Sequence, residues 1–313
     1  MLKRFSMLLL IFVLALAIAG PASASAEATT TPEDSGIGGI VRTKDSGMAP
    51  SNQGGLALLT YHGGPIMRYN KVYTIFWIPA GYSVSGTYIS KINQYFMDVA
   101  AASGATSNVY YTEKQYYSMP GRVHISGKTF FGSTYTDTHA FPASGCGLYG
   151  VLTECLTDAQ IKAEIKRVIA ANGWTANSTS MFFMFTPDLV GTCITGYCSY
   201  SYFCAYHGYT GSVIYANQPY TNTYPSACGV SVSPTGDIAA DSTINVASHE
   251  HREAINDFHL NAWYDIYGNE GSDKCAWDFG SLSKGYNQTI SGHHYVLQKE
   301  WSNYSQGCVL GGK

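Results

Sequence analysis

The sequence predicts a single α+β domain in which a mixed β-sheet carries helices. Apolar, β-branched and aromatic residues are concentrated in short runs such as 71–78, which is typical of strands. Other segments, such as 87–102, have apolar residues at helical spacing, and no internal repeat or second linker interrupts the chain after residue 55. A chain of 313 residues can bury one large core.

The same two periodicities predict most of the regular elements. Thr157 is a good N-cap for a helix over 157–171, and Asp241 or Ser242 can cap a helix that ends at Asp257. The tail over 295–309 is mixed, with one short helix or strand expected. Strands are predicted at 71–78, 108–117, 122–131, 180–185 and 211–216.

The N-terminal part has the pattern of an export signal. Lys3 and Arg4 precede an apolar run over 7–19, and Ala24-Ser25-Ala26 is a small-residue cleavage pattern, so we expect a signal peptide over 1–26. Residues 27–55 are rich in Ala, Thr, Ser, Gly and Pro without periodicity, and we expect a disordered propeptide or linker there. The folded domain is then 56–313.

Charge and hydropathy limit the partners. Without Lys3 and Arg4 the chain has 16 basic and 21 acidic residues, a formal charge of −5, and it has no basic run, so a nucleic-acid partner is not expected. No segment after the signal reaches the roughly 18 apolar residues of a membrane span. We expect a secreted, extracellular protein whose partners are peptides or cell-wall material.

Cysteine usage agrees with export. An even number of cysteines in an exported chain predicts disulfides, and paired Cys-x-x-Cys spacings that would indicate a zinc site are missing from the sequence. Locality favours Cys146–Cys155 and Cys275–Cys308, with the middle four pairing among themselves. The eight cysteines are Cys146, Cys155, Cys193, Cys198, Cys204, Cys228, Cys275 and Cys308.

The stretch 248–257 carries the strongest functional signal. On a helix, His249 and Glu253 project from the same face with Glu250 beside them. The layout resembles the zinc-peptidase motif His-Glu-x-x-His, with Glu in the place of the second His. We therefore predict His249 and Glu253 as metal ligands and Glu250 as the general base of a zincin-like, metallopeptidase-like hydrolase.

The third ligand has two candidates. Glu270 lies 17 residues after Glu253, close to the downstream-Glu spacing of thermolysin-like enzymes, and Asp273 could orient a ligand or replace one. His259 lies ten residues after His249, as in the metzincins, but no Met follows Met184 to form a Met-turn. The spacing favours Glu270. A buried hydrogen-bonded polar cluster, or a solvated helix face, stays open as an alternative to a metal site.

The types of predicted ligand affect both the Lewis acidity and the identity of the bound ion. One histidine and two carboxylates neutralise a divalent ion, which weakens it as a Lewis acid compared with a His-His-Glu set. We expect one zinc ion, with calcium as a competitor because carboxylates suit harder ions and Asp257 adds a nearby oxygen. His207 is a candidate substrate-facing residue, although packing beside a disulfide is an alternative role.

Several segments together resemble the EXORDIUM/phosphate-induced protein 1 family of secreted proteins, and more closely its bacterial-type relatives. The resemblance covers roughly residues 60–280 and implies an extracellular or cell-wall-associated protein without an established enzymatic activity. A non-catalytic role, with the cluster used for structure or for calcium, therefore stands beside the hydrolase. The segments that carry the resemblance are 63–65 (GGP), 73–77 (YTIFW), 203–207 (FCAYH), Cys228, the His249-Glu250 helix, 261–264 (NAWY) and Glu270 through Cys275.

Overall fold

A computed structural model describes residues 39–44 and 57–312. Within these ranges the α-helices are α1 (Tyr88–Ala101), α2 (Asp158–Asn172), α3 (Pro225–Cys228) and α4 (Ile238–Asp257), and 3-10 helices cover Val109–Gln115, Thr221–Thr223 and Asp273–Cys275. The strands are β1 (Ile40–Arg42), β2 (Thr60–Tyr61), β3 (Asn70–Trp77), β4 (Tyr117–Ser118), β5 (Val123–His124), β6 (Thr129–Asp137), β7 (Glu154–Thr157), β8 (Ser180–Phe185), β9 (Val190–Ile194), β10 (Tyr197–Cys198), β11 (Phe203–Thr210), β12 (Val213–Gln218), β13 (Trp263–Tyr264), β14 (Gln288–Ile290), β15 (His293–Tyr295), β16 (Glu300–Ser302) and β17 (Gly307–Val309).

A six-stranded mixed sheet forms the centre of the fold, as the α+β prediction requires. Its strand order is β1-β11-β12-β8-β3-β6. The pairs β12–β8, β8–β3 and β3–β6 are parallel, whereas β1–β11 and β11–β12 are antiparallel. The antiparallel strands β1 and β11 therefore form one edge of the sheet, and strand β12 leads into the segment that contains α4.

Both faces of the sheet are covered, because alternate residues of the central strands point to opposite sides. Phe76 and Phe183 belong to the core that packs with α1 and α4, while Trp77 and Met184 belong to the core that packs with α2. Strands buried on both faces read as continuous apolar runs. This burial explains why 180–185 (SMFFMF) has no polar alternation.

Helix α4 is buried along its whole length from Ala239 to Asp257. Asp237 caps it by accepting a hydrogen bond from the Ala240 amide, so the helix begins three residues before the predicted start. It ends where the Asp257 carboxylate accepts the backbone N–H groups of Asn261 and Ala262, each at 2.6 Å, and turns the chain.

The C-terminal part packs over α4 and is tied by a disulfide. Trp263, Leu297 and Trp301 contribute to the same core as α1 and α4. The predicted bridges Cys146–Cys155 and Cys275–Cys308 are both present. The middle four cysteines pair as Cys193–Cys198 and Cys204–Cys228, so the expectation that they pair among themselves is confirmed and no free cysteine is left.

Several predicted elements differ from those observed. The predicted strand over 108–117 is wrong: Val109–Gln115 is a 3-10 helix, capped by the Asn108 side chain. The predicted strand over 122–131 is divided into β5 and β6 by residues 125–128, which form no regular element, and the strand predicted at 211–216 begins at Val213. Short runs of β-branched and aromatic residues have similar patterns in strands and in 3-10 helices. The side-chain cap at Asn108 favours the 3-10 helix over the predicted strand.

The predicted signal peptide and most of the predicted disordered segment lie outside the described residues. Residues 1–38 and 45–56 lie outside the described residues, and they include the whole predicted signal peptide. Within the range predicted to be disordered, residues 40–42 instead form strand β1, which pairs with β11 from Ile40 to Arg42. In the described part of the chain, no helix combines the length and apolar character needed to cross a membrane.

Candidate metal centre

Ionisable side chains from three elements meet beside α4. The helix supplies His249, Glu250 and Glu253, strand β11 supplies His207, and the segment before and within the last 3-10 helix supplies Glu270 and Asp273. Neighbouring Tyr206 belongs to the core on the α2 side of the sheet. Because strand side chains alternate, His207 faces α4 instead.

One group of ligand atoms surrounds His249. Its Nε2 lies 3.1 Å from Glu253 Oε1 and 3.5 Å from Asp273 Oδ1. A tetrahedral zinc ion with bonds of about 2.0–2.1 Å holds neighbouring ligand atoms about 3.3 Å apart. The spacing of His249, Glu253 and Asp273 therefore suits one zinc ion.

A second group lies around His207 and shares Glu253. The Nδ1 atom of His207 lies 3.9 Å from Glu253 Oε2, and its Nε2 lies 3.9 Å from Glu270 Oε1. One ligand atom each from His207, Glu253 and Glu270 falls within 4.8 Å of the others. Glu253 thus presents Oε1 to His249 and Oε2 to His207.

Both oxygens of Glu250 are in contact with protein groups. Its Oε1 accepts the Val41 backbone N–H at 3.1 Å, and its Oε2 lies 3.0 Å from His207 Nδ1. Both side chains of the second contact are fully buried. With Nδ1–H donating to Glu250, His207 Nε2 carries a free lone pair, which is the arrangement found when a carboxylate orients a metal-binding histidine.

The pKa values reflect acidic groups that are buried close together. Burial raises the pKa of Glu253 to about 7 and raises those of Glu250 and Glu270 well above their usual range. Burial lowers the pKa of His207, whereas at His249 burial is outweighed by the combined effect of the Glu253, Asp273 and Glu250 carboxylates and the pKa is raised. Bringing carboxylates together at low dielectric disfavours their charged forms, and a cation would reverse that preference.

Several buried polar atoms of the cluster have no hydrogen-bond partner. His207 Nε2, His249 Nε2, Glu253 Oε2 and both carboxylate oxygens of Glu270 are buried and lack a hydrogen-bond partner. Buried polar groups are otherwise nearly always paired. Nitrogen and carboxylate oxygen atoms at these distances fit a divalent cation, so the residues present are suited to hold one.

Strand β1 covers the His207 side of the cluster. Gly39 accepts the His207 backbone N–H at 2.9 Å, and a Cβ at Gly39 would come within 2.0 Å of the imidazole ring. Gly39 also has a φ of +61°, which glycine adopts without strain. Asp273 is the most open member of the cluster, with 23% of its side chain exposed, while the Glu270 side chain is 4% exposed.

The predicted site residues fall into three sets. His249, Glu250 and Glu253 lie together, and Glu270 and Asp273 adjoin them, but Glu270 is grouped with His207 while Asp273 takes the position beside His249. His259 packs against the rings of Tyr209 and Phe258 and belongs to neither group of ligand atoms. Asp257 has its Oδ1 committed to two backbone amides and its Oδ2 buried without a partner.

Two contributions were missed by sequence reasoning. Gly39 and Val41 act through a backbone conformation and an amide, and they lie in a Gly-rich stretch without periodicity. The short run 40–42 (IVR) is too brief to predict a strand. The position of His207 opposite α4 was detectable in principle, because 203–210 precedes a Gly turn and a second apolar run, as in a hairpin.

Comparison of the chain with protein-family models, with curated proteins and with solved structures finds no match.

Proposed function

We propose that this protein is an extracellular, zinc-binding hydrolase of zincin-like type that acts on peptides. The ion would be held by His249, Glu253 and Asp273. This assignment retains the two helix ligands expected from the motif and replaces Glu270 by Asp273 as the third ligand.

One observation carries the proposal. His249 Nε2 lies 3.1 Å from Glu253 Oε1 and 3.5 Å from Asp273 Oδ1, and both side chains on α4 are fully buried. Burial of a histidine with two carboxylates is unfavourable unless a cation or protons compensate for the charge. Three protein ligands with one side open to solvent is the usual composition of a catalytic zinc site, and Asp273 supplies the open side.

The arrangement of the sheet supports a hydrolase site. Motif helix α4 follows β12, which pairs with the antiparallel strand β11, and His207 on β11 faces Glu250 and Glu253 on the helix. An edge strand beside the site can pair with an extended peptide through its backbone, as β1 does here. The four disulfides are compatible with an extracellular protein.

The residues divide the chemistry between them. Zinc, when bound, would polarise a carbonyl group and favour ionisation of water. Glu250 is the candidate proton acceptor, because burial raises its pKa toward the range in which a carboxyl group can both take and give a proton. The contact between His207 Nδ1 and Glu250 Oε2 fixes the orientation of that carboxyl group.

Metal analysis and peptide hydrolysis test the proposal together. Purified protein freed of metal and then supplied with zinc should bind the ion and cleave casein or a peptide library, and His249→Ala should lose both properties. Glu250→Gln should retain the ion and lose hydrolysis, because it removes the base and no ligand. Failure of the wild type to bind zinc, or binding without cleavage by any preparation, would reject the hydrolase.

The second candidate is a non-catalytic protein stabilised by a cation. The contacts made by the Glu250 carboxylate favour it. Both oxygens of that carboxylate are engaged, one by the Val41 amide and one by His207. Val41→Pro removes the amide donor and therefore distinguishes between a hydrolase and a non-catalytic protein. Faster hydrolysis in this variant supports the hydrolase, whereas a loss of stability without any hydrolysis supports the second candidate. The resemblance to EXORDIUM proteins agrees with the second candidate and with an extracellular location.

A further inference from the structure

We propose that the cluster binds two divalent cations, bridged by the Glu253 carboxylate: one beside His249 and Asp273, the other beside His207 and Glu270. The inference rests on the proposed metal site and extends it from one ion to a pair. Bridged pairs of this kind hold their ions about 3.5–4 Å apart.

The geometry of Glu253 is the first argument. Its Oε1 is 3.1 Å from His249 Nε2, and its Oε2 is 3.9 Å from His207 Nδ1. The two oxygens therefore face different histidines, and Oε2 has no hydrogen-bond partner although it is buried. Glu253 is the one residue shared by the two groups, each of which has one ligand atom per residue within 4.8 Å of the others.

The His207 side has the composition of a metal site in its own right. His207 is fully buried, its Nε2 has no hydrogen-bond partner, and its Nδ1 is engaged by Glu250. Glu270 Oε1 lies 3.9 Å from that Nε2, and both Glu270 oxygens are also unpartnered. One ion at His249 and Asp273 would satisfy none of these atoms on the His207 side.

Charge balance is the second argument. The carboxylates of Glu250, Glu253, Glu270 and Asp273 surround two imidazoles, and the Asp257 carboxylate acts on both His207 and Glu270. A single divalent ion balances two carboxylate charges, so the other carboxyl groups must be neutralised by protons or by a second cation. A second divalent ion takes the place of protons and leaves both histidines neutral as ligands.

Zinc stoichiometry tests the pair directly. Metal-free protein titrated with zinc should bind two ions per chain by native mass spectrometry and calorimetry. His249→Ala and His207→Ala should each bind one ion, and Glu253→Gln should lose tight binding of both. His251→Gln is the matched control, because His251 lies on the same buried helix and outside both ligand groups, and it should bind two.

The outcomes separate the pair from the single site. One ion per chain that is lost in His249→Ala and kept in His207→Ala would leave the proposed site standing and overturn the pair. No zinc bound by the wild type would overturn both. If the variants do not fold, wild-type protein loaded with two equivalents of Mn²⁺ decides by electron paramagnetic resonance. An exchange-coupled spectrum supports the bridged pair, and the spectrum of isolated ions overturns it.

Discussion

His207 on strand β11 and Glu250 on helix α4 are joined through Nδ1 and Oε2 at 3.0 Å, with both side chains fully buried. The contact connects the sheet edge to the motif helix and determines which imidazole nitrogen faces the metal-ligand atoms. Gly39 lies against the same imidazole, and a Cβ there would be nearest to Cε1 and Nδ1. The position of His207 therefore depends on the N-terminal strand as well as on α4.

The first prediction tests this dependence with Gly39→Ala. The added Cβ would lie 2.0 Å from the His207 ring at a φ of +61°, so the ring or strand β1 must move. Gly211→Ala is the control, because Gly211 has nearly the same φ, +59°, with no atom within 4 Å of the added Cβ. The control should cost about 1–2 kcal/mol through backbone strain alone, and Gly39→Ala should cost about 1–3 kcal/mol more. Urea denaturation of the two variants measures the difference. Equal losses would show that β1 does not hold His207.

The sequence predicts the parts of this molecule that depend on local pattern. The helix over 248–257, the N-cap at Thr157 and two of the four disulfides all follow from spacings of a few residues or from locality. The grouping of His249 with Glu253 follows in the same way from helical periodicity. These features require no knowledge of distant parts of the chain.

The remaining features depend on contacts between distant segments. Glu270 and Asp273 are three residues apart, and only the path of the chain past α4 decides that Asp273 adjoins His249 and Glu270 adjoins His207. The Val41 amide contacts Glu250 across 209 residues of sequence. A backbone donor has no side-chain signature, so sequence pattern could not reveal it.

The second prediction concerns the buried ion network at Arg252. Its guanidinium bonds to Glu113 and, at 2.8 Å, to Glu300, and all three side chains are fully buried. Arg252→Met should destabilise the protein by about 3–5 kcal/mol, because two carboxylates are left buried without their cation. Lys299→Met is the control, since Lys299 and its partner Asp278 are both partly exposed, at 27% and 45%, and the change should cost about 0–1 kcal/mol. Chemical denaturation compares the two losses, and a loss at Arg252 no larger than at Lys299 would contradict the prediction.

The third prediction compares two disulfides. Cys275–Cys308 closes a separation of 33 residues and Cys193–Cys198 one of 5. Loop entropy alone makes the longer bridge about 1.7 kcal/mol more stabilising. The longer bridge also anchors the 3-10 helix that contains Asp273. The double serine variant at Cys275 and Cys308 should therefore lose more stability than the one at Cys193 and Cys198, and it alone should weaken zinc binding. Equal zinc affinity in the two variants would show that Asp273 does not bind the metal.

The fourth prediction concerns acid stability and His251. Burial lowers the pKa of His251 to about 3, and its Nε2 lies 2.7 Å from Asn70 Oδ1 while its Nδ1 is buried without a partner. The unfolded chain has an ordinary histidine pKa of about 6.5. Between these two values the unfolded state binds one more proton than the folded state.

The free energy of unfolding should therefore fall as the pH falls from about 6.5 toward about 3, by up to about 1.4 kcal/mol per pH unit from this residue. Above about pH 6.5 the contribution is complete and constant. His251→Gln keeps a side-chain donor for Asn70 and removes the titration, so its stability should decline less steeply in acid. Denaturation of metal-free wild type and variant at several pH values between about 7.5 and 4.5 gives the two slopes. Titration of the other acidic groups affects both proteins alike and cancels in the comparison. Parallel curves would mean that His251 is not held neutral against α1 and the sheet, and that another group controls the acid sensitivity of the fold.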